Sequence, residues 1–292
     1  MPRAHRPSAE FPAHLEALYR EFPFARSFAD DPVSCLRPLA PEPRKAEVGG
    51  VFLSTLAVGQ TATIRGAFAR LTERAGGDLA SAVQRATRGN HARLLMPFRH
   101  RWIRGDQMGY LALRLASLYR SYPTLEALFL EGLDRGGFAH GLDALARGLR
   151  GGAGDPPAPR GYVALFPTPL AAPRSACKRL TLYVRWMVRP RFPDLGLWTR
   201  VPAGDLRVPL DQHVYWIAYH LGLTGRRSRS WAAVEEVTEA LRRIDPLDPT
   251  RYDFVLCHTG ISGDCPKHRD LAVCGPCSVR PDCRLWRGRV AA

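Results

Sequence analysis

Five of the seven cysteines, Cys257, Cys265, Cys274, Cys277 and Cys283, fall within 27 residues near the C-terminal end of the sequence. The segment CPKHRDLAVCGPCSVRPDC spaces the last four as C-x8-C-x2-C-x5-C. The two-residue gap lets Cys274 and Cys277 grip one centre from a tight turn around Gly275 and Pro276, with Cys265 and Cys283 closing the cage from the flanks. Zinc and an iron–sulfur cluster both accept four cysteines. Structural zinc sites usually pair two short cysteine hairpins, or a cysteine pair with a histidine pair. One short pair with gaps of five and eight residues favours a cluster, and His258 and His268 keep zinc open as the alternative. Cys257, in the helical run YDFVLCHTG, reads as packed rather than ligating.

The second chemical signal is charge. Lysine and arginine number 42 against 27 acids, a net charge of +15, and only three of the bases are lysines: Lys45, Lys178 and Lys267. Such a field favours an anionic partner, nucleic acid above all. From Arg174 to Arg207 there are eight bases and two acids, the densest basic stretch of the chain. A second patch, PFRHRWIRG from Pro97 to Gly105, interleaves Phe98 and Trp102 with Arg99, Arg101 and Arg104. Arginines among aromatics suit phosphate contact and base stacking, and they equally suit the end of a helix. No apolar run reaches the length of a membrane span, and the N-terminal sequence has no signal-peptide block, so the expectation is a cytoplasmic protein with reduced thiols and no membrane partner.

The elements that must position these residues read as helices almost throughout. EVGGVFLSTLAVGQTATIRGAFARL, GDQMGYLALRLASLY, TLEALFLEGL, ACKRLTLYVRWMVR, DQHVYWIAYHLGL and SWAAVEEVTEALRRI carry apolar residues three and four apart, and no convincing alternating strand appears. Breakers lie at Gly151–Gly161, Pro190–Pro193 and Ile244–Pro249. Wound as a helix, Ala176–Arg189 puts Leu180, Tyr183, Val184 and Met187 on a core face and Lys178, Arg185 and Arg189 on the opposite one, toward solvent or a cleft. Asp211 is placed to cap a helix whose stripe is Val214, Ile217, Ala218 and Leu221, closed by Gly222.

Taken together, a basic helix bearing a lysine (SACKRLTLYVRWMVR), a turn of the type PLDQHV and a C-terminal quartet ending C-x2-C-x5-C resemble the helix-hairpin-helix DNA glycosylases of the endonuclease III type. The resemblance covers nearly the whole chain and is nearest a bacterial branch with a SACKR…PLDxH core. RYDFVLCHTGISGDC is similar to the helix and loop that enter the cluster in endonuclease III. The 33 positions between Lys178 and Asp211 are similar to the interval in archaeal 8-oxoguanine glycosylases. The resemblance implies an all-α fold with two helical domains flanking a cleft and a C-terminal four-cysteine loop. It divides the chain into an N-terminal segment, 1–30, packing with the C-terminal domain; a helical domain, 31–204, that includes the Lys178 helix; and a C-terminal domain, 205–292.

It also implies roles. Lys178 matches the catalytic lysine of the bifunctional glycosylases and Asp211 the aspartate shared across the superfamily. Cys265, Cys274, Cys277 and Cys283 would hold a [4Fe-4S] cluster, with zinc as the alternative. Gln60, in LAVGQTAT, matches a residue that fills the gap left by a flipped base, and Arg99, Arg101, Arg174, Ser175, Arg179, Arg185 and His213 are expected at the DNA. The hairpin glycines are missing from LAAPRSACKR, and the first cysteine gap is eight rather than six. Ser175, the amides opening the next helix, Arg174 and Arg179 would take over phosphate binding. Base excision needs the target base out of the stack, a nucleophile at the sugar carbon and stabilisation of the developing cation. A lysine attacks only when neutral, and arginine cannot replace it in a Schiff base. The expected protein is therefore a monomeric, nucleoid-associated repair glycosylase acting on damaged double-stranded DNA, with lyase activity as an extension. A non-catalytic or structure-specific DNA-binding protein of the same fold, or a zinc-stabilised RNA-binding protein, is the alternative.

Overall fold

The structure is a computed structural model, and it describes residues 7–287. Among these the chain is mostly helical, and its strand is confined to one tiny hairpin. The elements are α1 (Phe11–Glu21), α2 (Phe24–Asp30), α3 (Pro43–Leu56), α4 (Thr61–Arg74), α5 (Leu79–Arg85), α6 (His91–Leu94), β1 (Arg99–His100), β2 (Ile103–Arg104), α7 (Gly105–Ser121), α8 (Leu125–Gly136), α9 (Phe138–Arg150), α10 (Lys178–Val188), α11 (Gln212–His220), α12 (Trp231–Arg242), α13 (Asp253–Ile261) and α14 (Leu271–Cys274). They form two compact units. One comprises Met1–Ser27, Pro173–Lys178 and Ala203–Ala292; the other comprises Phe28–Ala172 and Arg179–Pro202.

The larger unit is built around α3, every residue of which from Ala46 to Leu56 is buried. Gly50 lets α10 approach closely: a Cβ there would stand 2.9 Å from Met187 Cε and 3.0 Å from the Tyr183 ring. Glu47, buried on the same helix, accepts hydrogen bonds from Tyr119 Oη at 2.8 Å, the Leu125 amide at 3.0 Å and Trp198 Nε1 at 2.8 Å. One carboxylate thereby ties α3 to α7, α8 and the segment after α10. The run EVGGVFLSTLAVGQTATIRGAFARL, periodic from end to end, breaks between Leu56 and Thr61, where Gly59 takes φ +109 and the chain turns from α3 into α4.

Helix α10 departs from its helical-wheel reading. Arg185 and Arg189 are not on a solvent face: they are 4% and 2% exposed, and both reach Asp194, at 3.0 and 3.4 Å. A carboxylate from the following loop neutralises guanidiniums that would otherwise be too costly to bury. The helix is therefore buried nearly all round, and Arg185 is excluded from the DNA contacts expected of it.

The smaller unit gathers α1, the segment before α10, and α11 to α14. Its core joins Phe11 and Leu15 of α1, Ala176, Val208, Leu210, the α11 stripe Val214, Ile217, Ala218 and Leu221, the α12 residues Val234, Val237 and Leu241, and Val279. Asp282, fully buried, accepts the Ser8 amide at 2.7 Å and His14 Nδ1 at 2.7 Å, fastening α1 to the cysteine loop. The chain leaves this unit after Ser27, touches it again over Pro173–Lys178 and returns to it at Ala203. Pro173–Lys178 thus clusters with the C-terminal part of the chain.

Candidate functional site: two helix starts, a cysteine-lined cavity and an arginine hairpin

Lys178 is the first residue of α10 and the last residue of the smaller unit before the chain crosses to the larger one. The turn before it is held by the Cys177 amide, which donates to Ser175 Oγ at 3.1 Å. Cys177 itself is left-handed at φ +51, a conformation worth roughly 1–2 kcal/mol of strain in a residue with a Cβ. Arg174 is exposed, and Lys178 is half-buried. Arg179 turns inward: its Nη1 donates to the Leu165 carbonyl at 3.3 Å, and burial lowers its pKa.

The chain returns to the smaller unit at Ala203 and reaches Asp211, the N-cap of α11. Oδ1 of Asp211 accepts the Val214 amide at 2.8 Å, and Oδ2 accepts the Cys257 thiol of α13 at 3.3 Å. Ala176, two residues before Lys178, lies in the same core as Val208, Leu210 and Val214 around Asp211. The lysine and aspartate segments, 33 positions apart in sequence, are thus brought into one unit by their apolar neighbours. His213 is half-buried and packs against α13, where a Cβ on Gly260 would stand 2.7 Å from His213 Cβ.

Below α11 lies a cavity of about 50 Å³ lined by Cys265, Cys274, Cys277 and Cys283 together with Leu18, Ile217, His220, Leu221 and Trp286. Burial pushes the thiols of Cys265, Cys277 and Cys283 up. Main-chain amides pull the other way: that of Lys267 faces Cys265, those of Val279 and Arg280 face Cys277, and that of Leu285 faces Cys283. Lys267 is left-handed, at φ +67. Among the described residues no group of three or more His, Cys, Asp or Glu is arranged to hold a single metal ion. Asp264 and His268 line the cavity beside the four cysteines.

In the larger unit, the patch PFRHRWIRG forms an antiparallel hairpin, Arg99 facing Arg104 and His100 facing Ile103. This is the strand pair that alternation did not reveal, because each strand is two residues long. His100 is buried and its Nε2 lies 3.1 Å from the Leu56 carbonyl and 3.2 Å from that of Val58, fixing the hairpin to the end of α3. Arg101, left-handed at φ +53, lays its guanidinium over Gly59, so that a Cβ there would be 2.7 Å from Nη2. Gln60, Arg99 and Arg101 are exposed. Trp102, at the tip, is 54% exposed, whereas Phe98 is 5% exposed. Interleaving of aromatics and arginines had marked both rings; only the backbone distinguishes the one that faces out. Arg104 is taken up by Asp106, at 2.9 Å.

Fold and site thus define a two-unit helical protein with a C-terminal cysteine-lined cavity and an arginine-rich hairpin. Residues 31–262 match the family model described as protein of unknown function (DUF2400), and the chain belongs to that family. The match includes Lys178 and Asp211 and ends before Cys265. No curated protein and no solved structure matches the chain.

Proposed function

We propose that this protein is a DNA-repair glycosylase that excises a damaged base flipped out of duplex DNA, with Lys178 attacking the sugar C1′ and Asp211 stabilising the cationic sugar. The observation that carries this reading is the return of the chain at Ala203, which joins the Lys178 segment and the Asp211 cap in one unit around one core. A neutral amine and a carboxylate are the two groups that displacement of a base through a Schiff base requires. Elimination of the 3′ phosphate from that Schiff base would add lyase activity.

Two further features support a nucleic-acid partner and a cofactor. The net charge of +15 and the exposed Arg99, Arg101 and Trp102 suit phosphate contact and base stacking. The four thiols around one cavity, met by main-chain amides, suit a [4Fe-4S] cluster, whose thiolate ligands are commonly stabilised by hydrogen bonds. When bound, such a cluster holds the loop that carries Lys267 and Arg269. No helix among the described residues is long and apolar enough to cross a membrane.

Borohydride trapping on duplexes carrying a panel of lesions and an abasic site tests the reading, with wild type beside Lys178→Ala. A covalent adduct that vanishes in the variant is expected. Tight, salt-dependent duplex binding with neither adduct nor base release would instead leave a non-catalytic DNA-binding protein.

A further inference from the structure

Two ring nitrogens on the wall of the four-cysteine cavity have no hydrogen-bond partner in the protein. His220, at the end of α11, is 8% exposed, and its Nδ1 is buried with no hydrogen-bond partner. Trp286, three residues after Cys283, has a buried Nε1 that is likewise without a partner. Both residues line the same cavity as Cys265, Cys274, Cys277 and Cys283. A buried donor left unmade costs about 1–3 kcal/mol, so two on the walls of one cavity call for an acceptor inside it.

Both rings are held in place. Trp216 stacks on the His220 ring at 6.1 Å between centroids and 24° between planes, and the His220 carbonyl accepts the Arg284 amide at 2.7 Å. Trp286 has Arg269 and Arg280 over its ring, at 5.4 and 5.7 Å, and its amide donates to the Cys283 carbonyl at 2.8 Å. The rest of the wall includes Leu18, Ile217, Leu221, Val279 and Leu285. Thr259, Asp264, Lys267, His268 and Arg280 line it as well, and neither nitrogen is hydrogen-bonded to any of them.

We propose that His220 Nδ1 and Trp286 Nε1 donate hydrogen bonds to sulfur atoms of the iron–sulfur centre held by Cys265, Cys274, Cys277 and Cys283, and so raise its reduction potential. The proposal rests on the cofactor reading above. Reduction adds negative charge to the sulfurs, and a donor aimed at them stabilises the reduced form more than the oxidised one. The two donors come from different elements, α11 and the loop after Cys283, so each contributes separately.

The test is a redox titration of the purified full chain, followed by visible absorption and by electron paramagnetic resonance of the reduced form. Iron and acid-labile sulfide are measured on each sample. His220→Phe and Trp286→Phe each remove one donor while keeping a ring, and His220→Gln keeps a donor. Each Phe variant is expected to shift to lower potential by about a tenfold change in the ratio of reduced to oxidised centre, about 59 mV for one electron; His220→Gln stays near wild type. Loss of the centre from a His220→Phe protein that still shows the wild-type far-ultraviolet spectrum, with retention in His220→Gln, also supports the donor role. A wild-type centre whose potential neither Phe variant moves overturns the donor proposal and leaves the cluster standing. Wild type without iron and sulfide, or with zinc in their place, overturns the cluster reading and the proposal with it.

Discussion

The thiol of Cys257 donates to Oδ2 of Asp211 at 3.3 Å while Oδ1 of the same carboxylate caps α11 through the Val214 amide at 2.8 Å. Both oxygens are engaged from within the smaller unit, so the carboxylate is fixed by two elements, α11 and α13. This separates the cap from the proposed catalytic role of Asp211 experimentally. Asparagine caps a helix about as well as aspartate but carries no charge. Asp211→Asn is therefore expected to keep the melting temperature within a few degrees and duplex affinity near wild type, while base release falls below detection. Equal losses of binding and turnover would reduce Asp211 to a cap. Cys257→Ala, which removes one weak donor, is expected to retain base release at a reduced rate.

Trp102 makes a distinct prediction on the other unit. A stacked base is worth about 1–3 kcal/mol by alanine substitution, so Trp102→Ala is expected to weaken binding to a lesion-containing duplex by roughly 5- to 150-fold. Phosphate contacts behave differently: Arg99→Gln and Arg101→Gln should each lower the slope of log affinity against log salt by about one, uniformly across sequences. Fluorescence anisotropy over a salt series measures both. Unchanged affinity in Trp102→Ala would remove the hairpin tip from the interface.

The parts of this architecture that were legible in the sequence are those fixed by local pattern. The four cysteines lie within 19 residues, so their spacing constrains how they meet, and all four line one cavity. The Asp211 cap was legible because an aspartate directly before the apolar stripe of α11 is a strong local N-cap signal. Arg185 and Arg189 were misread because a helical wheel sees only its own helix: the carboxylate that buries them, Asp194, comes from the next loop. The hairpin was invisible because two-residue strands leave no period, and the outward aim of Trp102 depends on a left-handed Arg101 that no propensity scale favours. The unused nitrogens of His220 and Trp286 could not be read at all, since being without a partner is a property of packing.

The buried triad in the larger unit carries a stability prediction. Asp194 serves two guanidiniums that are nearly inaccessible to water. Breaking a buried pair by removing one partner leaves an uncompensated charge and costs about 3–5 kcal/mol. Asp194→Ala is expected to lose about that much in urea unfolding, whereas Arg191→Ala, an exposed neighbour, should change stability by less than about 0.5 kcal/mol. A mild effect at Asp194 would mean that Arg185 and Arg189 find other partners when it is gone.

Glu47 supplies a pH prediction with a definite sign. Burial raises the pKa of its carboxyl, and the hydrogen bonds from Tyr119, Trp198 and the Leu125 amide oppose that rise without cancelling it. The unfolded chain ionises this group near about 4.3. A carboxyl that ionises later in the folded state binds more protons there, so its contribution to stability is fully present below the unfolded pKa and is lost as pH rises through the raised folded value. Glu47→Gln fits the same space, keeps an oxygen for Trp198 Nε1 and the Leu125 amide, and lets the Tyr119 hydroxyl turn to accept. The substitution should therefore remove one pH-dependent loss: relative to wild type, Glu47→Gln gains stability between about pH 4 and neutrality and shows no such gain below about pH 4. Urea midpoints measured across that range, wild type against variant, decide it; a difference that is constant with pH would show that Glu47 ionises alike in both states and acts through its hydrogen bonds alone.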